Sequence, residues 1–313
     1  MRLRKLFPSR NARIRELLVT LEKVIPTDAS LLVLGESGTG KNYVAELIHR
    51  ASPRHAGAFL RIDCASLPEE LFEAELFGYE PGAFTDAKER KSGRLELAHR
   101  GTLYLDEVSA LAPASQAKLL RFVQERTLSR LGGSHSLSID TRIISSSNLP
   151  LAELVAGGGF RSDLFYRLNV VALTLPPLRE RREDIPLLAR SFLRQAGRRI
   201  GRHFGGFDDE ALRILRRYLW PGNVRELENV VQRAAILEAG TRITAESLPL
   251  AELVGDEILI EEGLEGSWSL ERMEKRYIRE VLRRTGGNFS WAARILGINR
   301  KTLLEKRRKY GLD

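Results

Sequence analysis

Residues 31–41 read Leu31-Leu32-Val33-Leu34-Gly35-Glu36-Ser37-Gly38-Thr39-Gly40-Lys41, and a helical pattern follows from Tyr43 to Arg50. Four consecutive apolar residues suit a strand buried on both faces. The spacing Gly35-x-x-x-x-Gly40-Lys41 is that of a Walker A loop. Glycines at 35, 38 and 40 let the backbone turn its N–H groups toward one point. The following helix N-terminus adds partial positive charge, and Lys41 reaches the outer phosphates of a nucleotide. Glu36, Ser37, Thr39 and Asn42 complete the cradle. Asn42 stands where many such loops carry Ser or Thr for magnesium, so the metal is expected to be held differently or through water.

Short strand patterns recur at Phe59–Ile62, Thr102–Leu105, Arg142–Ser145 and Val170–Leu175, with helical patterns such as Ile14–Val24 and Ala114–Gln124 between them. Strands alternating with helices indicate an α/β fold whose parallel sheet is covered on both faces. Gly157-Gly158-Gly159 reads as a short flexible joint. After Pro176-Pro177 the pattern turns helical, with helices expected at Ile185–Ala196, Asp208–Tyr218 and Asn223–Ala239. Gly101-Thr102-Leu103-Tyr104-Leu105-Asp106-Glu107 has the Walker B form, an apolar strand ending in two acids. Asp106 is expected to hold magnesium, directly or through water, and Glu107 to polarise the attacking water. Asn148, after the strand pattern at 142, is a candidate to orient that water.

The composition narrows the classes. The chain has 313 residues, 43 % apolar, which suits about two folded domains. Its apolar stretches are far shorter than the roughly 20 residues of a membrane-spanning helix. The basic start, Met1 to Arg10, has no apolar segment behind it, so no signal peptide is expected. The single cysteine, Cys64, can form no internal disulfide, and the five histidines show no zinc-ligand spacing. A cytoplasmic protein with no membrane partner is expected.

The net charge of +9 is unevenly placed. Residues 251–267 carry six acids and no base, whereas residues 268–313 carry 13 bases and five acids. A compact basic end behind an acidic segment suggests a small nucleic-acid-binding domain on a linker. Leu270, Met273, Tyr277, Val281 and Leu282 fall at helical spacing. Thr285-Gly286-Gly287-Asn288 breaks the helix, Ser290 is the expected cap of a helix over Trp291–Leu296, and Asn299 that of one over Lys301–Tyr310. Two short helices around Gly297 make a helix-turn-helix. Arg300, Lys301 and Thr302 are candidates for base contacts in double-stranded DNA, and Lys306, Arg307, Arg308 and Lys309 for phosphates. Trp291 and Leu303 read as core, and Tyr277 as part of a dimer seam.

Several further segments, in order, carry a family resemblance. Glu75-Leu76-Phe77-Gly78-Tyr79-Glu80-Pro81-Gly82-Ala83-Phe84-Thr85-Asp86-Ala87 resembles the ELFGHEKGAFTGA segment of bacterial sigma-54-dependent transcriptional activators, the enhancer-binding proteins. Phe160-Arg161-Ser162-Asp163-Leu164-Phe165-Tyr166-Arg167-Leu168-Asn169-Val170 is similar to FRxDLYYRLNV, Pro176–Arg181 to PPLRER, and Trp220–Leu227 to WPGNVREL. The basic end resembles the Fis-type domain of the same family.

The resemblance implies an AAA+ P-loop ATPase using ATP and Mg2+ and assembling as a ring, usually a hexamer, with dimeric DNA-binding domains. It implies an α/β ATPase subdomain at 1–175, a helical lid at 176–245, an acidic linker at 246–267 and a small all-α helix-turn-helix domain at 268–313. Arg161 and Arg167 match arginine fingers, and Arg225 the sensor II arginine. Gly82, Ala83, Phe84, Thr85, Asp86 and Ala87 match the loop that contacts sigma-54 in RNA polymerase holoenzyme. The implied function is ATP-driven remodelling of the closed promoter complex from an upstream DNA site. No receiver domain is expected before the ATPase.

Three positions depart from the pattern: Asp86 for glycine, Asp63 for asparagine and Asn42 for glutamate. Asp63 and Asp86 motivate an alternative, a DNA-binding regulator with an ATPase fold that does not drive sigma-54. A generic unfoldase or helicase-like motor fits less well, since neither needs the Phe84 loop and the helix-turn-helix together. The charge distribution makes the DNA assignment testable. Deleting residues 268–313 should abolish the salt-dependent part of DNA affinity, read by fluorescence anisotropy at rising ionic strength. A truncated chain with an unchanged salt slope would place DNA binding elsewhere.

Overall fold

The computed structural model describes residues 7–84, 87–250 and 268–312. Five parallel strands form the central sheet: β1 (Leu31–Leu34), β2 (Phe59–Asp63), β5 (Thr102–Asp106), β8 (Arg142–Ser147) and β9 (Val171–Thr174). Their spatial order is β2-β5-β8-β1-β9. The registers set Leu34 beside Ser147 and Thr174, and Asp63 beside Asp106. The carboxyl ends of β1, β8 and β5 therefore lie side by side at one edge of the sheet, where open α/β folds bind ligands.

The apolar strands read as alternating because each face has its own core. Leu32, Leu103, Leu105 and Ile143 pack on one side with Phe72, Leu119, Phe122 and Leu164. Leu31, Val33, Tyr104 and Ile144 pack on the other with Ile14, Leu18, Leu21, Val44 and Ile48. Helix α1 (Ala12–Val24) and α2 (Lys41–Ala51) cover the second face. Asn11 caps α1 by accepting from the Ile14 N–H at 3.2 Å. The other end of α1 is held by the fully buried Arg142, whose guanidinium donates to the carbonyls of Val24 and Ile25 at 3.0 and 2.9 Å. Helices α3 (Glu69–Phe77) and α5 (Pro113–Glu125) lie on the first face.

Two small hairpins do not show in the apolar periodicity: β3 (Gly78–Tyr79) with β4 (Lys91–Ser92), and β6 (Thr127–Ser129) with β7 (Ser136–Ser138). Short helices follow at α4 (Arg94–Leu97), α6 (Leu151–Ala156) and α7 (Ser162–Leu168). The triple glycine is no joint. Its N–H groups bond back to the carbonyls of Glu153, Val155 and Leu154 and close α6, with Gly158 at φ +74° supplying the left-handed turn.

The helical half contains α8 (Ile185–Ile200), α9 (Asp209–Arg217) and α10 (Asn223–Leu237). The chain divides into two compact units. One holds the sheet, all residues to His203 and Leu219–Arg233; the other holds Phe204–Tyr218 and the chain from Ala234. The acidic tether expected at 246–267 falls almost wholly outside the described residues.

In the second unit α11 (Leu270–Arg284), α12 (Phe289–Ile295) and α13 (Arg300–Tyr310) enclose Ile278, Val281, Ala292, Ala293, Leu303 and Tyr310. Leu303 is core as expected, but Trp291 is 54 % exposed, because the face of α12 that packs is the one with Ala292 and Ala293. The cap of α12 is Asn288, not Ser290. Asn288 is extended and accepts from the Trp291 N–H at 3.1 Å, so the helix begins two residues earlier than expected. Asn299 caps α13 as read, accepting from Thr302. Replacing Asn288 with Ala should cost about 1 kcal/mol, whereas Ser290→Ala should be near neutral, in chemical denaturation followed by circular dichroism.

Candidate functional site

The loop after β1 turns through three left-handed glycines, with φ +151° at Gly35, +78° at Gly38 and +105° at Gly40. Gly38 has a second reason to be glycine: a Cβ there would lie 2.3 Å from the Gly222 carbonyl oxygen. That close approach is held by the N–H groups of Val224 and Arg225, which donate to the Gly38 carbonyl at 2.9 and 3.3 Å. The Lys41 ammonium is buried; it donates to the Gly35 carbonyl at 2.8 Å and pairs with Glu107 at 2.9 Å. A buried ammonium requires such a countercharge.

The two acids after β5 have different surroundings. Asp106 is buried and ringed by donors. Arg61 reaches one carboxylate oxygen at 2.6 Å, and the Ser146 and Tyr104 hydroxyls reach the other at 2.6 and 2.9 Å. The Asn42 amide satisfies both its ends when its nitrogen faces Asp106, at 3.1 Å, and its oxygen faces Arg61. Glu107 has left-handed backbone, φ +57° and ψ +54°, unusual for a residue with a Cβ. That conformation aims its carboxylate at Lys41, where it also accepts the Asn148 main-chain N–H at 2.8 Å. Asn148 thus meets Glu107 through its backbone, and its side chain is exposed. Asp63 accepts from the Ala65 N–H at 3.0 Å.

These groups open into a cavity of about 500 Å³. Gly38, Lys41, Asp106, Glu107, Arg181 and Arg225 line it together with the apolar Phe7, Pro8, Leu187, Leu188 and Val224. A lining that joins cationic and N–H groups to apolar side chains suits a ligand with a flat ring and a chain of phosphates.

Sequence reasoning placed Arg225 here but missed Arg61, which holds Asp106, and at least five further contributors. Arg181 is nearly fully buried. It donates to the Thr39 carbonyl at 2.8 Å, its Nε has no partner, and burial lowers its pKa. Arg179 grips Glu36 bidentately at 2.8 and 2.6 Å and holds that carboxyl below its usual range. Asn223 is buried at φ +53°, accepts from the Leu178 N–H and donates to the Ser37 carbonyl and to Glu36. Phe7 and Pro8 carry no motif. The signal for the other three was present in the Pro176–Arg181 and Trp220–Leu227 segments, read as family marks without roles.

Arg161 and Arg167 do not line the cavity. Both are exposed on and beside α7, and Arg161 pairs with Asp163 at 2.8 Å. Of the loop at 82–87, Thr85 and Asp86 lie outside the described residues. Phe84 is 44 % exposed, with its ring edge-on to Tyr79 at 4.8 Å between centroids, whereas Ala87 is buried. The base of this loop is tied to the β6–β7 hairpin. Glu80 donates its N–H to the Leu131 carbonyl, and the buried Arg130 bonds Glu96 bidentately and Glu80 at 2.5 Å.

On the helix-turn-helix, Arg300, Lys301 and Arg308 are exposed and Thr302 is half-buried. Lys306 pairs with Glu274 at 2.6 Å, Lys309 with Glu271 at 2.7 Å, and Arg307 bonds the Leu312 carbonyl and lies over the Phe289 ring. Those three basic residues have partners within their own unit.

The fold and cavity define a P-loop nucleotide-binding α/β protein with helices on its carboxyl edge. Comparison with known proteins goes further. The chain belongs to the sigma-54 interaction domain family, whose description matches residues 7–174. An AAA+ ATPase lid domain matches residues 179–256, and a bacterial regulatory protein domain of the Fis family matches residues 269–310. The chain is 48 % identical over 294 residues to the transcriptional regulatory protein ZraR of Klebsiella oxytoca, covering 94 % of this chain and 66 % of ZraR. It is 45 % identical to the regulatory protein AtoC of Escherichia coli, covering 93 % of this chain and 64 % of AtoC. The crystal structure of NtrX from Brucella abortus in complex with ADP superposes with a TM-score of 0.73 at 36 % identity, covering 97 % of this chain and 69 % of NtrX. The chain therefore spans just under two thirds of the length of ZraR and AtoC. No helix among the described residues is long and apolar enough to cross a membrane.

Because Gly38 is both left-handed and in contact with Gly222, Gly38→Ala should weaken nucleotide binding at least about tenfold, measured by titration of a fluorescent nucleotide. Binding at the parental affinity would contradict the contact.

Proposed function

We propose that this chain is an ATP-hydrolysing transcriptional activator that binds upstream DNA and remodels sigma-54 RNA polymerase. The observation that carries the proposal is one chain combining the Lys41–Glu107–Asp106 site, the exposed Phe84 on a braced loop and a capped helix-turn-helix. Its parts are an ATPase subdomain over 1–175, a lid over 176–245, a linker over 246–267 and a DNA-binding domain over 268–313.

In this reading Lys41, Arg181 and Arg225 hold the phosphates while Phe7, Pro8 and Leu187 receive the adenine. The donor set at Asp106 is oxygen-rich, a carboxylate flanked by two hydroxyls, and suits a hard divalent cation such as Mg2+. Magnesium bound there supplies neutralisation of the phosphate charge. Glu107 leaves Lys41 when the phosphates take the ammonium. It then accepts a proton from the water that attacks the γ-phosphorus, and ADP is the leaving group.

Arg161 and Arg167 lie outside their own cavity, which suits action on a neighbour's γ-phosphate in a closed hexameric ring. A guanidinium in that role is worth about 10³–10⁵ in rate. Phe84 is the contact tip for sigma-54, since a large exposed ring gains most by burial in a partner. Arg300, Lys301 and Thr302 at the start of α13 read bases, and Arg308 faces phosphate.

Asp63 supports the second reading, a DNA-binding regulator that does not drive sigma-54. Its Oδ1 accepts from a neighbouring main-chain N–H, and Glu107 takes other partners. Transcription with sigma-54 polymerase and a non-hydrolysable ATP analogue separates the readings, since activation without hydrolysis supports the second.

Glu107→Gln should keep nucleotide binding and lose at least about 100-fold in hydrolysis, whereas Lys41→Ala should lose binding; unchanged turnover in both refutes the ATPase. Phe84→Ala should keep ATPase activity and DNA binding but form no open complex. Promoter opening at the parental level by that variant would remove the loop from the mechanism.

A further inference from the structure

Two departures from the family pattern, Asn42 and Asp63, meet at one carboxylate together with Arg61. Asp106 is the residue assigned to the divalent cation, yet one of its oxygens is held by a guanidinium, with Arg61 Nη2 at 2.6 Å. Asn42, directly after Lys41, lies between the two and satisfies both when its amide nitrogen is turned toward Asp106 and its oxygen toward the terminal nitrogens of Arg61, at 3.1 and 3.0 Å. Asp63 stands beside Asp106 in the β2–β5 register and lies 4.0 Å from the same Arg61 nitrogen. Arg61 is thus shared between a near, buried acid and a farther, exposed one. The Arg61 side chain is 45 % exposed and that of Asp63 39 %, so the guanidinium can swing between them without disturbing the core.

We infer that Arg61 is a built-in counter-cation at the metal position, one that leaves Asp106 for Asp63 when Mg2+ binds with nucleotide. This rests on the reading of the cavity as an ATP–magnesium site. A guanidinium and a divalent cation compete for one carboxylate because both need its lone pairs and their charges repel. Asn42 suits the arrangement. A carboxamide has a donor for Asp106 and an acceptor for Arg61, whereas a carboxylate has only acceptors and would oppose Asp106. Asp63 suits it as well, since an acid there offers the displaced guanidinium an ion pair that asparagine could not. Arg61, Asn42 and Asp63 then act as one device: the site stays charge-balanced without metal and requires more Mg2+ to load.

The test is binding, not turnover. A fluorescent non-hydrolysable ATP analogue is titrated onto the full chain at fixed Mg2+ concentrations and in EDTA. The Mg2+ concentration giving half-maximal binding is the readout. Arg61→Gln should lower that midpoint roughly three- to tenfold while leaving affinity in EDTA nearly unchanged. Asp63→Asn should raise it, because the displaced guanidinium loses its second partner. The double variant should match Arg61→Gln alone, since Asp63 then has nothing to receive.

An Arg61→Gln midpoint equal to the parental one overturns the inference. So does an Asp63→Asn shift that persists in the Arg61→Gln background. If Arg61→Gln fails to fold by thermal melting, the direction of the Asp63→Asn shift decides alone. Absence of analogue binding at every Mg2+ concentration in the parental chain refutes the ATP site itself, a result distinct from a normal Mg2+ dependence that ignores Arg61.

Discussion

A buried ammonium organises this molecule. Lys41 is almost without solvent access, so it must be matched by oxygens fixed in advance. The Gly35 carbonyl and the Glu107 carboxylate do this, and each is placed by a different strand of the sheet. Strand β1 ends in the loop that curls round Lys41. Strand β5 ends in Asp106 and Glu107, and β8 between them supplies Ser146, which accepts the Glu107 N–H and donates to Asp106. The left-handed backbone of Glu107 is the local cost of aiming that carboxylate at the ammonium. Sheet order, register and strand length converge on one ion pair, and the nucleotide site follows from it.

The helical elements attach to the same point through main-chain contacts. Gly38 receives two N–H groups from Val224 and Arg225, Asn223 ties Ser37 and Glu36 to Leu178, and Arg181 closes on Thr39. Each bond made by the phosphate loop itself reaches a segment more than 130 residues further on. A ligand that rearranges the loop must disturb these contacts, which gives a physical route from nucleotide to helix position. A comparable brace, Arg130 with Glu80 and Glu96, holds the base of the Phe84 loop.

Part of this was legible beforehand for a definite reason. The strand–glycine loop–helix order at 31–50 and the strand ending in Asp106-Glu107 are local patterns, and their chemistry is set by residue type and spacing. The central strands and most helices were likewise readable, because burial on two faces leaves apolar runs. The short hairpins β3–β4 and β6–β7 were not, since two or three residues carry no period. The start of α12 was misplaced because Asn288 and Ser290 are both good caps, and only packing of Ala292 and Ala293 against the core decides between them. Trp291, which reads as core in the sequence, lies on the far face of that helix.

The sequence by itself determined the phosphate loop, the acidic pair, the two-faced parallel sheet and the basic helix-turn-helix. All of these are properties of contiguous residues. Only the tertiary structure decided which distant groups share the site. It brought Phe7 and Pro8 to the cavity, buried Arg181 against Thr39, turned the Asn148 backbone rather than its side chain toward Glu107, and set Arg61 on Asp106 with Asp63 beside it. It also showed that Lys306 and Arg307, basic residues in a basic helix, have partners in their own unit. The physical reason is the same throughout. Charges and hydrogen-bonding groups act over a few ångströms in space, and separation along the chain does not report that distance.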